Sequence, residues 1–324
     1  MKIAVVIVTY ADRSGFVKQV VERILSFNIH SIVIVNNNST FESSEVLESL
    51  SSGNQHISLI NLDRNTGSAY AFNRGIEYAL TDCGAEYIWL LDDDNLPDAD
   101  AHAVLVKNMN DELKQCSRDK IIISLLRDGR INYLRAIECA QPWHIIGRSN
   151  IFRSFHIASL SEHIVEPDRN IFKGEISAVP YGGMFFHGDV IRKTGYPDEN
   201  YFVYCDDFDF CCRHISGGGK IFLSIESGIS DIEKSWNASG RAVKSIACGE
   251  FIPKSYYSVR NRVYLEKKYL VTSWPVYLIN MTIYSSLVTL LALSRLKFKN
   301  IITYYTAVYH GLTGRMGYNG KYSM

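Results

Sequence analysis

Apolar runs alternate with amphipathic stretches through the first hundred residues, and this alternation restricts the fold more than any other feature. Ile3–Val8 is an unbroken apolar, mostly β-branched run, the pattern of a strand covered on both faces. Phe16–Phe27 then takes a helical period, with Phe16, Val17, Val20, Val21, Ile24 and Leu25 on one face. Ser31–Val35 reads as a second strand closed by an Asn36-Asn37-Asn38-Ser39 turn, and Ile57–Asn61 reads as a third. Asn65-Thr66-Gly67-Ser68 opens a helix through about Leu80, and Glu86–Leu91 is a fourth strand. Such βαβα order predicts a mainly parallel α/β sheet flanked by helices. A helix over Asp98–Lys114 and a strand over Ile121–Leu125 extend it.

The fourth strand runs into Asp92-Asp93-Asp94-Asn95. Carboxylates are costly to desolvate, and adjacent like charges repel unless a cation is shared. At the carboxyl end of a strand in an open sheet they face the crevice where ligands bind. Hard oxygen ligands there suit Mn²⁺ or Mg²⁺, and such ions suit a diphosphate. The plainer reading is a solvated acidic turn with Asp98 capping the next helix. A second acidic cluster, Asp206-Asp207-Phe208-Asp209, opens a helix through about Ile215 that Gly217-Gly218-Gly219 stops. Asp209 is expected to pair with Arg213 at i,i+4. Together the clusters offer a Lewis-acid site and a separate base, which transfer from a nucleoside diphosphate ester needs. His187 and His214 are expected to be structural.

Between the clusters, Asp128–Val179 is irregular and predicts a mobile loop around Ser161–Lys173. The seven cysteines contain no C-x-x-C pair, so no zinc or disulfide framework is expected and a reducing cytosol fits. No secretory signal is read at the amino end. The formal net charge is zero, which argues against nucleic acid as a partner. From Lys254 onward, however, Glu266 is the only acidic side chain. Within that part Trp274–Leu293 carries no charge, has a polar stripe at Thr282, Ser286 and Thr289, and is flanked by Lys267, Lys268, Arg295, Lys297 and Lys299. Three readings stand: a helix lying against an anionic membrane surface, a buried helix in a subdomain or homo-oligomer interface, and a true span. The domains expected are 1–240, carrying the site, and 241–324, a helical membrane- or partner-associating region.

Several segments together resemble family 2 glycosyltransferases of the GT-A fold. They are Val5–Tyr10, Val33–Thr40, Asn65-Thr66-Gly67, Leu91–Asn95, Tyr181–Phe186, Gly195-Tyr196-Pro197 and Tyr204–Arg213. Tyr256–Asn261 and Gly311–Gly317 resemble the tail of the bacterial rhamnosyl- and galactofuranosyl-transferases within that family. No dinucleotide fingerprint and no Walker A loop is present.

The resemblance implies a site. Thr9 and Tyr10 would lie against nucleobase and ribose, Asn37 near the base, and Arg64, Asn65 and Gly67 along the uridine and diphosphate. Asn36 stands where the family usually has Asp, and Gly67 also reads simply as the turn that starts a helix. Asp92 and Asp94 would bind the metal, Mn²⁺ or Mg²⁺, with Asp93 on ribose or donor sugar. Asp207 matches the general base, with Asp206 the second choice. Tyr181, Gly182, Gly183 and Arg213 would form the acceptor side. Many relatives supply a downstream His to the metal; here Asp231 and Glu233 occupy that region. The implied activity is inverting transfer from a nucleotide sugar, UDP-galactofuranose first and dTDP-rhamnose next. The implied acceptor is a lipid-linked surface polysaccharide at the cytoplasmic face of a bacterial inner membrane. The rivals are a sugar-nucleotide nucleotidyltransferase, whose Gly-rich loop Tyr10-Ala11-Asp12-Arg13 replaces, and a non-catalytic membrane-associated assembly partner.

Overall fold

The structure, a computed structural model, describes residues 1–138, 145–147, 149–152, 171–233 and 242–323. Most of the expected loop at Ser161–Lys173 lies outside them. The chain divides into two units. The first comprises Met1–Ile145, Glu166–Glu199 and Asp207–Glu233, and the second Ile146–Val165, Asn200–Asp206 and Lys234–Met324.

In the first unit, strands β1 (Ile3–Ala11), β2 (Ser31–Ser39), β3 (Ile57–Asn61) and β4 (Tyr87–Asp92) are joined by helices α1 (Ser14–Leu25), α2 (Phe41–Ser52) and α3 (Gly67–Thr81). β1 pairs in parallel with β2 and β4, and β2 with β3. β1 and β2 are buried on both faces through Val8 and Asn37, which is why their sequences do not alternate. Val17, Val20, Val21 and Ile24 of α1 are buried with Ile3, Val5, Ile7 and Trp89 in one core. α3 approaches the other face closely. A Cβ on Gly75 would lie 2.4 Å from Val6 Cγ1, so only glycine fits that crossing without displacing the strand.

The remaining strands are β5 (Asn95–Pro97), β6 (Ile121–Arg127), β7 (Lys173–Glu175), β8 (Met184–His187) and β9 (Lys220–Asp231). Their helices are α4 (Ala101–Glu112), α5 (Ile131–Glu138), α6 (Asp189–Thr194) and α7 (Asp206–Ser216). The sheet order is β3-β2-β1-β4-β8-β6-β9-β5, with β7 on β9. β8 is antiparallel to both β4 and β6, so the sheet is mainly but not wholly parallel. Two local expectations change. The Asn36–Ser39 turn is instead the end of β2: a bulge between Thr9 and Ala11 keeps Ser39 paired, with Asn38 at φ 60°. And α5 falls inside the stretch read as irregular.

The second unit contains α8 (Ala242–Cys248), α9 (Ile252–Tyr269), α10 (Trp274–Leu293) and α11 (Phe298–Thr313). Its core is unusually aromatic, with Phe152, Phe202, Tyr256, Tyr257, Tyr277, Tyr284, Tyr304 and Tyr322 all buried. Arg260 is fully buried over the faces of Tyr256 and Tyr257 and donates to the carbonyls of Tyr201 and Gly317. The neighbouring Asn261 amide donates to the carbonyls of Tyr201, Val203 and Tyr204 at 2.6–2.9 Å. These bonds hold a segment in which Phe202, Tyr204 and Cys205 all have φ near +65°, each a strained choice for a residue with a side chain.

Candidate active site

The carboxyl ends of β1 and β4 lie side by side, since Val8 registers with Asp92. Thr9, Tyr10 and the Asp run therefore share one end of the sheet. Asn95 builds the turn that follows. Its side-chain oxygen accepts from the Asp92 amide at 3.1 Å, and its Nδ2 donates to Asp94 and Asp231 at 3.3 and 3.0 Å.

Two arginines thread the acidic cluster. Arg13 Nε donates to Asp93 at 2.8 Å, its Nη2 lies 3.2 Å from Asp94, and its Nη1 pairs with Glu233. Arg127, at the end of β6, donates through Nη1 to Asp92 at 2.9 Å and through Nη2 to Asp231 at 2.7 Å. Asp231 and Glu233 are thus each held by a guanidinium. Burial raises the Asp93 carboxyl against the pull of Arg13. Asp94 is pushed up to about 7 by burial and then by Asp92 and Asp93, with Arg13 opposing the rise: five carboxylates meet two guanidiniums, and the excess negative charge disfavours ionisation of Asp94.

Gly182 closes against this cluster. A Cβ there would lie 2.0 Å from Asn95 Oδ1, 2.9 Å from Arg127 Nη1 and 3.0 Å from Asp92 Oδ2. Gly183 follows with φ +103° and donates its amide to Leu90 O, tying the turn to β4. Tyr181 is buried between Phe72 and Phe210.

Asp207 sits in the first turn of α7, its carboxylate accepting the Phe208 amide at 2.8 Å. Burial, and then the charge of Asp92, raises its carboxyl to about 6, while Arg127 and Arg130 oppose the rise. Tyr133 of α5 feels Asp207 in turn: burial pushes its phenol up, and the Asp207 charge adds. Asp206 is buried and belongs to the second unit.

On the β2 side, Asn37 is buried and its amide is spent inside the chain. It accepts from the Thr66 amide and hydroxyl at 2.8 and 2.9 Å and donates to Asn65 Oδ1 and Gly67 O at 3.2 Å. Asn65 also accepts from the Gly67 amide at the start of α3. Asn36 is bonded to Ser44, Asn61 and Ser39. Arg64 is exposed.

The amino-terminal half matches the family described as glycosyl transferase family 2 over residues 4–166. This chain belongs to that family. The glycosyltransferase is similar in fold to GalNAc-T7, solved with UDP, GalNAc and Mn²⁺, at 14% identity and a TM-score of 0.58, over 82% of this chain and 48% of that one. It is also similar to the mannosyltransferase PcManGT from Pyrobaculum calidifontis, in complex with GDP-Man and Mn²⁺, at 15% identity and a TM-score of 0.52, over 96% and 87%. The chain spans about half the length of the first of these. No curated protein matches its sequence. At these identities the likeness is one of fold, the GT-A arrangement.

Among the described residues no three His, Cys, Asp or Glu side chains form a ligand set. The raised Asp94 carboxyl nonetheless marks excess negative charge beside Asp92, and two carboxylates completed by phosphate oxygens are an ordinary way to hold Mg²⁺. The residues fit a divalent ion that arrives with a diphosphate.

Arg213, expected on the acceptor side, is bonded within the fold. Its Nε pairs with Asp209 at 2.8 Å, as i,i+4 spacing predicts, and its other nitrogens donate to the carbonyls of Thr194 and Tyr196. It fastens α7 to the 194–196 segment. His214 bonds to Thr194 and the Lys120 carbonyl, and His187 stacks edge-on against Tyr87, so both pack as expected. Sequence reasoning missed Arg13, Asn95, Arg127 and Tyr133. Arg127 carries the signal that found Asp92, a charge at the carboxyl end of an apolar strand.

Proposed function

We propose that this glycosyltransferase moves a sugar from a nucleoside diphosphate donor to an acceptor hydroxyl in one inverting displacement. Asp207 takes the acceptor proton as the acceptor oxygen forms its bond to the anomeric carbon. The bond from that carbon to the diphosphate breaks, and its electron pair leaves with the phosphate oxygen. Asp92 and Asp94 would hold Mn²⁺ or Mg²⁺, which when bound supplies positive charge to the diphosphate. Arg13 holds Asp93 and Glu233, and Arg127 holds Asp231. Each guanidinium also reaches one of the two, Arg13 to Asp94 at 3.2 Å and Arg127 to Asp92 at 2.9 Å, so the ion would share these two carboxylates with the arginines. Asn37 and Asn65 shape the start of α3, where Thr9, Tyr10, Arg64 and Gly67 line the nucleotide, with Asp93 toward its ribose. Tyr181, Gly182 and Gly183 border the acceptor.

One observation carries this reading: β1 and β4 end side by side, with Val8 in register with Asp92, which brings Thr9 and Tyr10 to the same sheet end as the Asp run; burial beside it raises the Asp207 carboxyl to about 6. A base with a pKa near the working pH is suited to accept a hydroxyl proton. The donor favoured is UDP-galactofuranose, then dTDP-rhamnose, because the triple Asp and the Asp206–Asp209 cluster resemble the galactofuranosyl branch. The acceptor favoured is a lipid-linked polysaccharide at the cytoplasmic face of the membrane.

Thermal-shift screening of nucleotide sugars with Mn²⁺, followed by transfer assays on the hits, tests the reading. A UDP- or dTDP-sugar should stabilise the protein, and EDTA should remove the effect. Full activity in excess EDTA would sink the ion's role.

A further inference from the structure

The C-terminal unit has a broad apolar face that its own core leaves unused. On α10 the buried residues Tyr277, Tyr284, Ser285, Val288 and Ala292 form one stripe. Ile279 and Leu290, on the opposite side at 100° per residue, are 60% and 64% exposed. Beyond the helix, Leu296, Phe298 and Ile302 are exposed as well. Thr282 and Ser286 interrupt this face, but each hydroxyl donates to the carbonyl four residues back, at 2.9 Å. The helix satisfies their polarity, and they need no water partner.

The charge of this region has one sign. Residues 254–324 hold ten Lys and Arg against the single acidic side chain Glu266. Glu266 is fully buried and accepts from Arg262 Nε at 2.9 Å and the Tyr277 hydroxyl at 3.0 Å. What reaches solvent is therefore cationic: Lys267 and Lys268 before α10, Arg295 and Lys299 after it.

We propose that this face docks on an anionic lipid bilayer, with α10 lying in the interface. Two such faces meeting would set cation against cation, whereas acidic headgroups neutralise them while the acyl boundary takes the apolar side chains. The helix lies rather than spans because one stripe is committed to protein: Ser285 bonds the Tyr304 hydroxyl of α11 at 2.9 Å, and Tyr284 stacks on the same ring. The docking is independent of the transfer chemistry.

The test is cosedimentation of the full chain with vesicles of phosphatidylcholine containing roughly one third phosphatidylglycerol, the anionic headgroup that basic segments attract. Wild type should bind these, release as salt rises, and ignore pure phosphatidylcholine. Leu290→Glu with Ile302→Glu should weaken binding by at least about tenfold. Phe41→Glu, at an apolar residue of the first unit that is 72% exposed, should change nothing. Arg295→Glu with Lys299→Glu gives an independent arm if the first pair fails to fold, and should also weaken binding. Absence of wild-type binding, or equal binding by both double variants, overturns the proposal. So does a wild-type dimer that the apolar variant dissociates without any vesicle binding, or membrane retention after alkaline carbonate, the mark of a span. Thermal shift with a nucleotide sugar, run alongside, reports the active site separately.

Discussion

In the proposed displacement Asp207 can accept the proton only when ionised. Its carboxyl is raised to about 6, so kcat/KM should be level above pH 7 and fall about tenfold per unit below about 6. Asp207→Asn should lower turnover by about 10²–10⁴-fold and leave nucleotide affinity nearly unchanged. A titration of nucleotide binding beside steady-state kinetics separates the two. Asp94 predicts the reverse pattern. Its folded pKa, about 7, lies above its unfolded value, so the folded state holds the extra proton between them. Stability from this group is present below the unfolded pKa and lost as pH rises through about 7. Asp94→Asn should therefore raise the Tm of metal-free protein at pH 8 more than at pH 5, while weakening nucleotide binding. Scanning calorimetry at the two pH values checks it. The Asp run was legible as an acidic cluster at a strand end because three charges directly follow an apolar run, although a solvated acidic turn would read the same way. Arg13 and Arg127 were not, because each sits on a different element, and only the sheet brings them to the same carboxylates. Gly182 was read as bordering the acceptor; that its missing Cβ makes room for Asn95, Arg127 and Asp92 together is a fact of packing that no local pattern carries.

Elements were legible where burial imposes a period. β1, β4, α1 and α3 follow from apolar runs and stripes because each meets the core along much of its length, and β3 follows from its apolar residues although only Ile57 of it is fully buried. β5 is three residues ending in proline, too short for any period. β9 passes through Gly228 with a register shift against β6, which breaks the pattern that would mark one long strand. The Asn36–Ser39 end of β2 carries turn residues, yet pairing with β1 overrides their preference. α9 offers the sharpest test at this scale. Asn261 closes a segment the sequence marks only by resemblance, and its amide restrains the three left-handed residues at 202, 204 and 205. Asn261→Ala should lower the unfolding free energy by about 3 kcal/mol, the upper figure for buried polar groups left without a partner, read from urea titration. Asn261→Asp should do no better, since it sets a carboxylate against the same carbonyl oxygens.

At the scale of the molecule the two units are interleaved along the chain. Asn200–Asp206 groups with the C-terminal helices although Asp207 begins the next stretch of the first unit. A chain ending at 240 would keep Asp92, Asp94 and Asp207 but strip Arg260 and Asn261 from Tyr201. It should therefore show a lower Tm and a weaker nucleotide-induced shift than the full chain, both measurable by differential scanning fluorimetry. The place of β8 has a consequence for the order in which the protein can be made. The strand that joins β4 to β6 is Met184–His187, so a ribosome must deliver about a hundred further residues after β4 before the open flank of the first half-sheet is covered. Until then a nascent β3-β2-β1-β4 layer presents an unpaired edge lined by Trp89 and its neighbours, and such edges recruit other chains. The vulnerable interval of this protein thus lies mid-synthesis, and chaperone demand should peak in nascent chains stalled between residues 92 and 184.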